Sequence, residues 1–508
     1  MADDAKTTDA RDRGSLLDRF LRVFSDVRRG EGANAVLLLA TIFMLLFCYY
    51  VLKTVREPLV LASATADLQL VRTTGLPEWL KQILIEQEGP QLKAFAAGLQ
   101  AIVLMLYVPA YSWVASRVSR VRLIVGVSIF FIACIQLFFF LRLAGVPMLG
   151  FVFFIWVGIF SVSMVAQFWS FANDVYTKDQ GERLFPIIGV GATAGAPVGS
   201  QAAGAFYDYV AAGGAEGAEL DGLQRWLVES DIDPSFILLQ VPAVLLAVFT
   251  VMMVIVARRF DAPTSSSPAE ERPPGSDGKA KGGLGLIFES PYLRLIAAVI
   301  LILNVVNTLG EFLLSDLVSD AASAAVAAGE ASDEGAFIGG FYGDFFTYVN
   351  VIALLLQALV VSRLVKHVGI KAVLFALPLV ALGSYAMFAA GLGLGALRWA
   401  KTAENATDYS IMNTGKAMVW LPTRKAAKYA GKQAVDTFIV RIGDMVSALV
   451  FLVATSALHL GLTTLGIINL VLVAGWLGLT FLLVRRNAAV NEDPTIDPAT
   501  RGATGGAG

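Results

Sequence analysis

The chain has 508 residues, of which 56% are hydrophobic and 16% charged, and its mean hydropathy is +0.67. Apolar residues in that excess, gathered in runs of about twenty, match the length that crosses roughly 30 Å of hydrocarbon, and they exclude a soluble multidomain protein. The formal net charge of −2 gives no bulk attraction to nucleic acid. Cys48, Cys134, His367 and His459 have neither metal-ligand nor disulfide-framework spacing, so no cofactor is expected.

In chain order, residues 1–32 form a cytoplasmic segment too charged for a signal peptide. Within it Leu16, Leu17, Phe20, Leu21, Phe24 and Val27 share one helical face opposite Arg19, Arg22 and Asp26, the pattern of a helix lying on a membrane surface. Twelve spans are predicted near 34–62, 95–114, 121–143, 147–176, 184–211, 235–257, 288–314, 338–362, 370–391, 393–413, 433–457 and 464–484. Arg398, Lys401, Glu404 and Asp408 interrupt the tenth.

Each ionisable residue at the centre of a span costs about 2.5–3.5 kcal/mol, so such residues are candidates for function. In the first span Lys53 and Glu57, four apart, are placed to pair. That leaves Arg56 unmatched and favours an anion, while Pro58 is expected to kink the helix. The fourth span ends on Asp174, which reads equally as a site acid or as a boundary residue. In the fifth, Gly191, Gly195 and Gly199 repeat at spacing four, the small-residue stripe that lets membrane helices approach closely. The seventh carries Asn304, Asn307 and Glu311 on one face, a polar stripe that should face a cavity rather than lipid. The eleventh embeds Asp436, Arg441 and Asp444; Arg441 reaches Asp444 at spacing three, as a structural ion pair or as part of a binding site.

Residues 258–287, rich in Pro, Ser and Gly, read as a flexible linker between a six-helix half at 33–257 and a second at 288–485, with a disordered tail at 486–508. Lys and Arg gather in alternate loops and acids such as Asp231, Asp233, Glu330, Asp333 and Glu334 in the others. Both termini are therefore expected in the cytoplasm. A faint repeat supports the division: Ser116 and Arg117 precede Arg120 and Arg122, as Ser362 and Arg363 precede Lys366 and Lys371. The fold class expected is an all-α membrane protein of about twelve transmembrane helices in two halves, major facilitator-like, with substrate between them. No P-loop and no catalytic triad motif is present, which points to a transporter rather than an enzyme. A membrane-embedded enzyme or a sensor remains the competing class.

Several segments in register carry a resemblance. They are LKTVREPLV from Leu52, FWSFAND from Phe168, ERLFPIIGVGA from Glu182, and the stretch from Asp408 to Asp444 with YSIM, Gly415-Lys416-Ala417-Met418, Leu421-Pro422, Lys428, Gly431-Lys432 and Asp436. Together they resemble the ATP/ADP translocases, the nucleotide transporter family of plastids and intracellular bacteria. The resemblance implies exchange of a cytosolic nucleotide for an external one. It also implies that Arg56, Asp174, Glu311 and Asp444 stand at the family's substrate-binding positions, with an acid at 444 where the family carries Lys. The substrate-binding set expected is Lys53, Arg56, Asp174, Asn307, Glu311, Arg441 and Asp444. The partner expected is a small anionic solute of nucleotide type, handled by a monomer in a bacterial inner membrane. Coupling to a proton, with another organic anion as cargo, is the alternative mode.

Overall fold

The computed structural model describes residues 18, 21–22, 26–28, 30–62, 89–213, 220–229, 232–259, 283–425 and 427–501, and all regular structure among them is helical. Twelve long helices follow one another: α1 (Gly32–Leu61), α2 (Gly89–Ala115), α3 (Arg120–Leu143), α4 (Leu149–Val175), α5 (Lys178–Gly213) and α6 (Pro234–Arg259), then α7 (Pro291–Ala327), α8 (Glu334–His367), α9 (Ile370–Ala389), α10 (Leu394–Thr407, continuing by wide turns to Met418), α11 (Ala427–Ala457) and α12 (Leu462–Glu492). Ten are long and apolar enough to cross a bilayer. The others, α5 and α10, are diluted by glycine and by charge respectively, and each packs against several of the apolar ten.

Glycine sets the closest approach. A Cβ at Gly191, Gly195 or Gly199 would run into the backbone carbonyls of Leu39, Phe43 and Phe47, so the stripe seats α5 directly on α1. On its other side α5 meets α8 where Gly204 faces Gly343 backbone to backbone.

One apolar core joins α1, α3, α4, α5 and α6; a second joins α7, α9, α10, α11 and α12. The first six helices meet the last six through α2 against α11 and through α5 and α1 against α8. Arg28, Arg183, Arg363 and Arg486 stand at the rim where α1 begins and α12 ends, the basic rim. Asp233, Glu330 and Asp333 stand at the opposite, acidic rim. There a third cluster, including Leu61, Leu92, Leu314, Val318, Ile338 and Phe345, closes the seam between the halves.

Two terminal expectations change. Most of the amphipathic segment at 16–27 lies outside the described residues, but Leu21 and Val27 are buried in the first core, and Gly32 N–H donates to Asp18 Oδ1 at 3.0 Å. The tail expected to be disordered from 486 is instead helical to Glu492 and packed beyond it. Fully buried Asp497 accepts from Ser290 Oγ at 2.6 Å and from Tyr292 N–H at 3.0 Å, which caps the start of α7. Most of the linker, 260–282, lies outside the described residues; its last part begins the short helix Gly283–Glu289.

Candidate functional site

The charges of α1 do not pair as their spacing suggests. Glu57 turns to Arg56, whose Nε donates at 3.1 Å, and to Lys93 of α2, whose Nζ lies 2.7 Å from Glu57 Oε2. Lys93 also donates to Ser315 of α7 at 3.0 Å and so joins the halves. Lys53 sits apart from Glu57 in a ring of aromatic faces. Its Nζ is 4.2 Å from the Phe346 ring centre, 5.2 Å from that of Tyr50, and 3.4 Å from the Tyr409 hydroxyl. The aromatic faces attract the ammonium in place of a carboxylate, and Glu57 serves the other two cations. Pro58 lies inside the helix, which continues to Leu61.

Beside this triad a cavity of about 160 Å³ lies between the halves, lined by Arg56, Lys93, Gln100, Phe154, Thr308, Glu311 and Asp444 among others. Asp444 accepts from Arg441 at 2.8 Å and from Thr308 at 3.2 Å, so the spacing-three pair of α11 exists and borders the cavity. Glu311 accepts from Asn405 at 2.8 Å and lies 3.8 Å from Lys401. Asn307 faces the same ammonium at 3.5 Å, whereas Asn304 turns back to its own helix at the Ile300 carbonyl.

Four of the expected residues, Arg56, Asn307, Glu311 and Asp444, thus gather in or beside one cavity, with Arg441 paired to Asp444 and Lys53 one helical turn before Arg56 on α1. Asp174 does not join them. It is exposed near the end of α4, about twenty residues and so about 30 Å along the helix from Phe154, which touches the cavity.

Sequence reasoning missed Lys93, Lys401, Glu404 and Tyr385. Lys401 is 0% exposed and donates to Glu404 at 2.9 Å, and the Tyr385 hydroxyl contacts the same carboxylate oxygen at 2.9 Å. The signal for Lys401 and Glu404 is an ionisable pair three apart in a span, which in sequence alone looks the same as an interruption of that span. Lys93 fell outside a hydropathy window that opens at residue 95, although α2 begins at Gly89. With these residues included and Asp174 removed, five cations (Lys53, Arg56, Lys93, Lys401, Arg441) face four carboxylates (Glu57, Glu311, Glu404, Asp444). The expected set held three cations and three acids; the groups found together sum to one formal positive charge, although the cavity lining itself, Arg56 and Lys93 against Glu311 and Asp444, is balanced.

The model of the TLC ATP/ADP transporter family matches residues 151–486 of this sequence. The chain belongs to the TLC ATP/ADP transporter family. It is a multi-pass membrane transporter, not an enzyme. No curated protein sequence matches this TLC transporter. Its fold is that of major facilitator transporters. A bacterial homologue of the human lysosomal transporter Spinster, inward-facing and unoccupied, superposes with a TM-score of 0.54 at 12% identity, covering 88% of this chain and 97% of that one. The nucleoside transporter NupG gives 0.53 at 14%, covering 88% and 98%. The POT family transporter PepTSo gives 0.57 at 11%, covering 91% and 99%.

Proposed function

We propose that this TLC transporter moves an anionic solute of the nucleotide class by alternating access, exchanging an internal for an external molecule. The observation that carries the reading is the cavity between the halves, where Arg56 and Lys93 share the Glu57 carboxylate, with Lys53, one helical turn before Arg56, held by aromatic faces and by no carboxylate among the described residues. An incoming phosphate offers both cations additional oxygens, and bonds between ionised partners are about twice as strong as neutral ones. At about 160 Å³ the cavity takes a phosphate-sized group, not a whole nucleotide, since drug-sized ligands need roughly 300 Å³ or more. The remainder of the solute extends toward Lys53 and its aromatic faces, Tyr50, Phe346 and Tyr409. Family membership supports the nucleotide class.

The basic rim faces the cytoplasm of a bacterial inner membrane in this reading, following the bias of Lys and Arg. The apolar cluster at the acidic rim then seals the seam against the outside. Asp174 stands on the approach from the basic rim. Because the cavity lies between halves of one chain, a monomer suffices.

Radiolabelled ATP and ADP uptake into intact cells expressing the chain tests the proposal. Uptake should be lost in Arg56→Ala and kept in Arg28→Ala, since Arg28 is exposed and pairs at the rim with Asp179. Absence of nucleotide uptake and of counter-exchange would overturn it.

A further inference from the structure

Deep in the second half lies a polar cluster that the anion cavity only touches. Lys401 and Glu404 of α10, Tyr385 of α9 and Glu311 of α7 meet there, and Glu404 is 2% exposed. One ammonium serves two carboxylates: Lys401 Nζ is 2.9 Å from Glu404 Oε1 and 3.8 Å from Glu311 Oε1. The other groups facing it are neutral: Tyr385, Asn307, Asn405 and, beside Tyr385, Asn469 of α12, which donates to the Val306 carbonyl at 3.0 Å. Arg398, one turn before Lys401, is turned away to Asp344 at 3.0 Å.

A second observation points to what is missing. Glu404 Oε2 is buried and has no hydrogen-bond donor among the described residues. An ionised carboxylate with one oxygen bare in a dry site is costly, and with both acids charged Lys401 alone serves two carboxylates, the next cation facing Glu311 being Arg56 across the anion cavity. A proton on Glu404 Oε2 removes the charge on that oxygen and leaves Lys401 balanced by Glu311.

We propose that Glu404, held by Lys401 beside Glu311, carries a proton that moves in the same direction as the anionic solute. Glu311 connects the two sites, because it lines the anion cavity with Arg56 and lies against Lys401 in the cluster. An anion arriving at Arg56 raises the cost of negative charge at Glu311, which favours the proton on its neighbour. By reciprocity, the proton favours the anion. The proton is taken from water on the loading side, adds to Glu404 Oε2, and leaves from the same oxygen to water on the unloading side. No covalent bond other than this O–H is made or broken. This inference rests on the anion reading above and adds the coupling to it.

The test uses the full chain in liposomes, with ATP as the probe and the membrane potential clamped at zero by valinomycin and equal potassium. For one proton per ATP, an external pH about two units below the internal one drives accumulation of up to about a hundredfold, tenfold per unit. Wild type should accumulate ATP under that gradient. Glu404→Gln should lose the gradient-driven accumulation, and Glu404→Asp should regain it. Wild type that exchanges ATP yet gains nothing from the gradient overturns the coupling and leaves the nucleotide reading intact. A Glu404→Gln variant that accumulates like wild type overturns the assignment to Glu404. If no nucleotide moves at all, the nucleotide reading fails, and acid titration of the purified protein decides the rest: Glu404→Gln must bind one proton fewer than wild type, and equal counts overturn the site. Should Glu404→Gln not fold, the gradient response of wild type and of Glu404→Asp decides.

Discussion

Replacing Glu57 by Gln should weaken the empty protein and strengthen its grip on an anion. In the structure Glu57 is the shared counter-ion of Arg56 and Lys93, whose side chains are 15% and 4% exposed, while its own is 1% exposed. Removing one partner from a buried ion pair costs about 3–5 kcal/mol, because the remaining charge stays desolvated. Gln keeps an acceptor and the volume, so the lower end applies, about 3 kcal/mol. The same carboxylate competes with substrate for Arg56, so its loss frees both cations for a phosphate. Thermal unfolding of the detergent-purified protein, with and without ATP, reads both effects. Glu57→Gln should melt several degrees lower than wild type without nucleotide and recover most of that loss in saturating ATP, so its nucleotide-induced shift exceeds that of wild type. Glu57→Asp should fall between the two. A variant as stable as wild type, or one whose ATP-induced shift is smaller, would refute the shared counter-ion.

Gly195→Val places a side chain against the Phe43 carbonyl and should cost at least the 1–3 kcal/mol of overpacking, lowering the yield of folded protein in size-exclusion chromatography; Gly189→Ala, with open space around its Cβ, should not. Asp497→Ala strips the carboxylate that caps α7 and should lower the melting temperature by the equivalent of about 1–2 kcal/mol, even though it lies in the tail. At the basic rim, a hydrogen bond from Arg183 holds the Glu31 carboxyl down at about 2, from an ordinary value of 4.5. A lowered value in the folded state gives stability that is complete above pH 4.5 and disappears as pH falls toward 2. Melting temperature followed over that window should decline less steeply in Glu31→Gln than in wild type.

Much of the fold was legible because a bilayer leaves few options: apolar runs of spanning length, alternating basic loops and the glycine stripe of α5 each have one physical reading. The site was legible in part. Arg56, Glu311 and Asp444 stood out as charges inside apolar helices, and they do share a cavity. Their partners were not legible, because spacing along one helix ranks only local pairs. Lys53 and Glu57 are well placed at spacing four, yet Glu57 finds Lys93 across a helix contact and Lys53 finds aromatic rings from α8 and α10. Asp174 shows the converse: its charge lies in an apolar helix, but at its end, and only the length of α4 separates it from the cavity. The charge balance of the site moves from neutral to one positive charge because Asp174 stands away from it, while the added cations Lys93 and Lys401 are matched by the added carboxylates Glu57 and Glu404.

Direct titration of ATP into the purified transporter, wild type against Arg56→Ala, tests the anion cavity most directly. A hydrogen bond to a charged group contributes about 1.5–3 kcal/mol, so Arg56→Ala should weaken binding by roughly 10- to 150-fold. Wild-type affinity in Arg56→Ala, or no ATP binding to wild type, would contradict the account.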